Sequence, residues 1–117
     1  MFEVDESSPQ LGKHPSDLFH HIVAKLLFVS KRARLDIEAT ISFLCTRVLK
    51  STQQDWSKLG KLLGYLKRTV DLPRILGANG FSSVFCWTDS SYATHQEMKG
   101  YTGGVTSFGH SVTHTKC

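Results

Sequence analysis

The residues best suited to chemistry lie in one run, Trp87-Thr88-Asp89-Ser90-Ser91-Tyr92-Ala93, followed by Lys99-Gly100-Tyr101-Thr102-Gly103-Gly104-Val105. A β-rich apolar stretch ends on one carboxylate, Asp89, a few residues ahead of a glycine-broken stretch with the pattern of a next strand. A carboxylate at a strand end is a hard oxygen ligand of the kind a divalent cation such as Mg2+ takes. An Asp in that place also caps turns, and one carboxylate makes no hydrolase, so the residues around it must decide.

A second candidate chemistry is nucleic-acid contact. Lys58, Lys61, Tyr65 and Arg68 recur three or four residues apart and share one side of a helix, with Lys67 beside them. Cations with an aromatic among them suit phosphate contact and base stacking. The same row also reads as a charged face that water covers. His110, His114 and Cys117 match half of a zinc-finger spacing, but Cys45 and Cys86 have no near partner to supply the other half. His20 and His21 fall at the polar border of the first helix and read as solvated. Cys86 falls in an apolar strand and reads as a buried, poor thiolate.

The elements that must position these residues follow from periodicity. Met1 to Pro15 is poor in apolar residues and reads as a disordered lead-in. Phe19, Ile22, Val23, Leu26 and Leu27 mark one face of a first helix, with Ser16 as its N-cap. Ile37, Ile41, Leu44, Cys45 and Val48 mark a second, capped by Asp36. Thr52-Gln53-Gln54-Asp55 has the spacing of a capping box and opens a third, whose apolar stripe is Trp56, Leu59, Leu63, Leu66 and Val70. Gly60 and Gly64 weaken that helix and suggest close packing against it. After Pro73 the period turns toward two. Arg74 to Gly77, Ser83 to Thr88, Gly103 to Phe108 and Ser111 to Thr115 read as strands, with turns at Asn79-Gly80 and Gly109-His110.

The predicted fold class is therefore α+β: about three helices, then an antiparallel β-meander. A meander that stops at Cys117 leaves an edge strand and one sheet face uncovered, which suggests an incomplete fold. The 117 residues fit one domain or part of one. Fourteen Lys and Arg against ten Asp and Glu give a net charge of +4, compatible with a polyanionic partner without requiring one. Three widely spaced cysteines argue against a disulfide framework and for a reducing, intracellular compartment, cytoplasmic or nuclear. No apolar run approaches the roughly 20 residues of a membrane span, and Met1 to Lys13 has no secretory pattern.

Several motifs occur in an order that resembles the polyprotein of copia-type LTR retrotransposons. They are Ile22-Val23-Ala24-Lys25-Leu26-Leu27-Phe28, Arg34-Leu35-Asp36-Ile37, Trp56-Ser57-Lys58-Leu59 and Leu62-Leu63-Gly64-Tyr65-Leu66-Lys67-Arg68-Thr69. Trp87 to Ala93 then resembles that family's Tyr-Ser-Asp-Ala-Asp-Trp-Ala element, and Met98 to Gly104 resembles part of its Ser-Thr-Ser-Gly-Tyr element. The resemblance spans residues 17–116, from the end of the reverse transcriptase into the ribonuclease H domain. The chain departs from the family with Leu35 where Pro is usual, Arg68 where Gly is usual and Ser91 where the second Asp of the run stands.

The resemblance implies a helical reverse transcriptase connection segment over 16–72 and the first strands of a ribonuclease H-like domain over 73–117. It implies that Asp89 is the first metal-binding carboxylate, and that the parent enzyme uses Mg2+ or Mn2+ on an RNA-DNA hybrid without a small-molecule cofactor. The partner carboxylates would lie beyond this segment, so the chain alone is expected to bind no metal stably and to be inactive. Two other expectations stand beside it: a nonenzymatic nucleic-acid-binding helical module using Lys58, Lys61, Tyr65, Lys67 and Arg68, and a remnant without function.

Overall fold

The computed structural model describes residues 1–92 and 100–116. Among these residues three helices precede a three-stranded antiparallel sheet, an α+β arrangement. The chain divides into two compact units, Met1–Leu72 and Pro73–Cys117. No helix among the described residues is long and apolar enough to cross a membrane.

In the first unit α1 runs Lys13–Arg32, α2 Glu38–Arg47 and α3 Gln53–Arg68, with short 3-10 turns at Leu35–Ile37 and Val48–Lys50. The apolar faces meet in one core: Phe19 and Val23 of α1, Ile37, Ile41, Phe43 and Leu44 at and along α2, Leu59 and Leu62 of α3. The α1 stripe is as its periodicity predicts, with Ile22, Leu26 and Leu27 packed at the margin. The α3 stripe holds at Trp56, Leu59 and Leu66 and fails at two positions. Leu62 is buried, whereas Leu63 is 40% and Val70 74% exposed, because Asp55, Leu59, Leu62 and Leu66 are the residues that repeat along the face turned to the core.

The helix starts show where local signals decide. Thr52 and Asp55 form the predicted capping box: the Asp55 amide donates to Thr52 Oγ1 and the Thr52 amide to Asp55 Oδ2. α1 starts earlier than its predicted N-cap, at Gly12, and Ser16 instead pairs its hydroxyl with that of Ser51 at 3.0 Å. Pro15 fits the first turn of α1, where its missing N–H has no intrahelical partner to lose. Asp36 does not cap α2; it sits in the 3-10 turn before it and takes side-chain partners instead.

The lead-in, expected to be disordered, lies against α3. The Leu11 amide donates to the Ser51 carbonyl and the Gln53 amide to the Pro9 carbonyl, Val4 and Leu11 pack on the core, and the Phe2 ring meets Phe43 edge-on at 5.5 Å. Its few apolar residues are enough because the amides at the start of α3 need acceptors, and Ser8 and Pro9 supply them.

In the second unit β1 (Phe85–Ser91), β2 (Tyr101–Ser107) and β3 (Val112–Lys116) form a meander in the order β1-β2-β3. Its register pairs Trp87 with Val105, Asp89 with Gly103 and Val105 with Thr115, and a bulge falls between Thr106 and Ser107. The β2–β3 turn falls at Gly109-His110 as predicted, with Gly109 at φ 127°, where a Cβ would come within 2.7 Å of the Asn79 side chain. Arg74 to Gly77 is not the predicted strand. Its polar groups bond across to the turn and to β3 with side chains: Gly77 exchanges hydrogen bonds with Ser111 Oγ, and Arg74 Nη2 donates to the Thr113 carbonyl at 2.7 Å. Cys86, predicted buried, is exposed on the open sheet, 3.9 Å from Thr106 Oγ1.

Gly60 and Gly64 do not serve close packing either, since a Cβ at each would meet nothing within 4 Å. Gly60→Ala and Gly64→Ala are each expected to raise stability by about 1 kcal/mol. Leu59→Ala, in the core, is expected to cost about 2–5 kcal/mol, all three read from denaturant-unfolding midpoints.

Candidate metal and nucleic-acid sites

Asp89 lies inside β1, with Ser90 and Ser91 continuing the ladder after it, rather than at the strand's end. Strand alternation puts it on the face that carries Phe85 and Trp87, whose rings stack at 6.1 Å and 20°. Its cross-strand neighbour on that face is Gly103, which has no side chain to lay over the carboxylate. Asp89 is therefore exposed and sterically open, able to meet a hydrated cation. Among the described residues no three His, Cys, Asp or Glu side chains gather as a metal site. Ala93, Met98 and Lys99, part of the motif that flags this strand pair, lie outside the described residues, as does Cys117 of the His110, His114 and Cys117 set. Of that set His110 stands in the β2–β3 turn and His114 on β3.

The predicted basic row on α3 is altered at two of its members. Lys58 is only 7% exposed. Its Nζ donates to the Glu3 carbonyl and to Gln54 Oε1, lies 3.9 Å from Asp55 Oδ1, and sits over the Phe43 ring 4.9 Å from its centroid. Burial lowers its pKa, and the neighbouring Asp55 carboxylate opposes that shift. Tyr65 is committed as well: its hydroxyl donates to Asp36 Oδ2 at 2.8 Å and the Arg34 guanidinium lies over its ring at 5.5 Å. Lys61, Lys67 and Arg68 are exposed, with Arg68 Nε donating to the Gly64 carbonyl of its own helix. Lys67 follows Lys58 by about two and a half turns, which sets it on the opposite side of α3 from the row.

Two polar clusters escaped the sequence reading. In one, Arg34 grips Asp36 with both arms, Nε to Oδ1 at 2.9 Å and Nη2 to Oδ2 at 2.7 Å, and donates to the carbonyl and hydroxyl of Thr69 at the C-terminus of α3. The Arg34 hydrogen bond holds the Asp36 carboxyl below its ordinary value, and the same bond raises Arg34. The other cluster centres on Asp55, fully buried, which accepts from the Thr52 amide and hydroxyl at 3.0 Å and from Arg47 Nε at 3.4 Å. Only the capping spacing of this second cluster was visible beforehand. The pairing of Arg34 with Tyr65 and Thr69 spans residues too far apart for any local pattern.

No family model matches the chain, and neither a curated protein nor a solved structure matches it.

The lowered pKa of Asp36 fixes the sign of one pH effect. Its contribution to stability is complete above the unfolded carboxylate value of about 3.9 and is lost as pH falls through the lower folded value. Thermal melts from pH 6 downward should fall more steeply below about pH 4 for the parent chain than for Asp36→Asn; parallel curves would show that Asp36 carries no such linkage.

Proposed function

We propose that the chain is the segment of a copia-type LTR retrotransposon polyprotein that joins the reverse transcriptase to the ribonuclease H domain, with Asp89 as the first metal-binding carboxylate. The observation that carries the proposal is the setting of Asp89, on the first strand of an antiparallel β1-β2-β3 meander that three helices precede. The ordered motifs from Ile22 to Gly104 support the same assignment. The setting is intracellular, cytoplasmic or nuclear, and the parent's substrate is the RNA strand of an RNA-DNA hybrid.

Bound Mg2+ or Mn2+ would supply water activation and stabilisation of the leaving oxygen in the parent enzyme. Asp89 offers such an ion one hard oxygen ligand, open to solvent opposite Gly103. One carboxylate fits a hydrated cation held weakly and does not fit a two-metal site, so this reading requires acidic ligands besides Asp89. The exposed Phe85 and Trp87 on the same face form an apolar shoulder beside it. The chain by itself is then neither a polymerase nor a nuclease.

A second reading, a nonenzymatic nucleic-acid-binding helical unit, is favoured by the exposed cations Lys61 and Arg68 on one side of α3 and is compatible with the first. A remnant without function is distinguished by the flanking DNA: early stops on both sides point to it, whereas intact in-frame palm and ribonuclease H carboxylates point to the polyprotein.

Purified chain is expected to leave a labelled RNA-DNA hybrid uncut with Mg2+. Joined in frame to the acidic helix of a copia-type ribonuclease H domain, it should cut the hybrid and lose that activity on Asp89→Asn. Cutting that survives Asp89→Asn would remove Asp89 from the metal site.

A further inference from the structure

Lys58 has the sequence position of a phosphate contact and the environment of a core residue. The segment that buries it is residues 2–11. Glu3 gives it a backbone carbonyl, the Asp5 amide shares its Gln54 Oε1 acceptor at 3.1 Å, and Phe2 covers the Phe43 ring beneath its ammonium. The segment carries Glu3, Asp5 and Glu6 with no Lys or Arg, so a polyanion approaching Lys58 meets like charge first. Lys58 feels the Glu3 carboxylate and the Lys61 ammonium at once, which sets it between the segment and the exposed row. The hold is shallow at its outer end, where Phe2 remains 54% exposed. Segments anchored by so little apolar surface are the first to open locally.

We propose that residues 2–11 are an autoinhibitory strap that withholds Lys58 from a nucleic-acid backbone, and that release of the strap adds Lys58 to Lys61 and Arg68 as one further phosphate contact. The proposal rests on the reading of α3 as a nucleic-acid face. On release Lys58 loses the Glu3 carbonyl and the covering Phe2 ring, while Gln54 and Asp55 stay on its own helix. The ammonium then stands one turn from Lys61, on the row that the spacing of the sequence marks.

The test uses the full-length chain, a fluorescein-labelled RNA-DNA hybrid, and acetylation of lysines by N-hydroxysuccinimide acetate read by mass spectrometry. Phe2→Ala with Val4→Ser loosens the strap; Phe2→Ala alone is the milder second variant should the pair lower the melting temperature sharply. Loosening is expected to speed acetylation of Lys58 and to steepen the slope of log affinity against log salt by about 1, one added phosphate contact. Lys58→Met, which keeps an unbranched apolar side chain in that place, should cancel that gain in the loosened chain and leave the salt slope of the parent chain as it is, compared at a temperature where both remain folded. Equal slopes for parent and loosened chains overturn the strap and leave the α3 face standing. A loss of affinity on Lys58→Met in the parent chain overturns the strap too, since Lys58 would already be in use. Absence of binding by both chains at low salt overturns the strap and the α3 face together.

Discussion

The helical unit depends on one buried charge. Asp55 is removed from water entirely, and a carboxylate in that position is tolerated only where donors surround it. Its Oδ2 accepts from Thr52 at the N-cap of α3 and from Arg47 at the end of α2, and the Lys58 ammonium stands 3.9 Å from Oδ1 as a charge contact. The carboxylate also faces the amide end of α3, where the helix dipole favours a negative charge. The junction of α2 with α3 is thereby fixed by electrostatics before apolar packing completes it. Removing one donor from such a group leaves an uncompensated buried charge, at about 3–5 kcal/mol.

Lys58 extends that constraint to the amino-terminal segment. Its ammonium stands near Asp55, donates to Gln54 and to the Glu3 carbonyl, and lies over the Phe43 ring. A cation that spacing alone assigns to solvent is turned inward by a carboxylate three residues behind it. Arg34 does the same at the other end of α3, where its guanidinium ties Asp36 and Tyr65 to the terminal Thr69. The two ends of the third helix are thus pinned by ion pairs and its middle by Leu59 and Leu62.

What could be read in the sequence was what a few adjacent residues determine. The periodicity of Phe19 to Leu27 and the Thr52–Asp55 box are complete within a turn or two, and the helices, the order of the strands and the Gly109-His110 turn followed from such signals. The direction of a side chain at a helix border was not legible, because Lys58 and Tyr65 choose between water and partners that lie far along the chain. Leu62 and Leu63 exchanged places because both are leucines, and adjacent positions of one residue type leave the local pattern indifferent between them. Arg74 to Gly77 looked like a strand from its apolar pair Ile75-Leu76, but the serine and arginine side chains, not a ladder, take its hydrogen bonds. Asp89 was legible as a carboxylate at a strand end, and the ladder runs two residues past it.

The strap also bears on the order in which the helical unit assembles. Its bonds to α3 join residues 46, 49 and 55 positions apart, whereas the capping box closes over 3. Contacts over short separations form with little loss of chain entropy, and those over long ones wait until the intervening chain is ordered. The three helices and their charged junction therefore come first, and the amino-terminal segment settles onto a surface already built. During that interval Lys58 and the Phe43 ring face water, so the young helical unit shows a basic, aromatic surface that the finished one conceals.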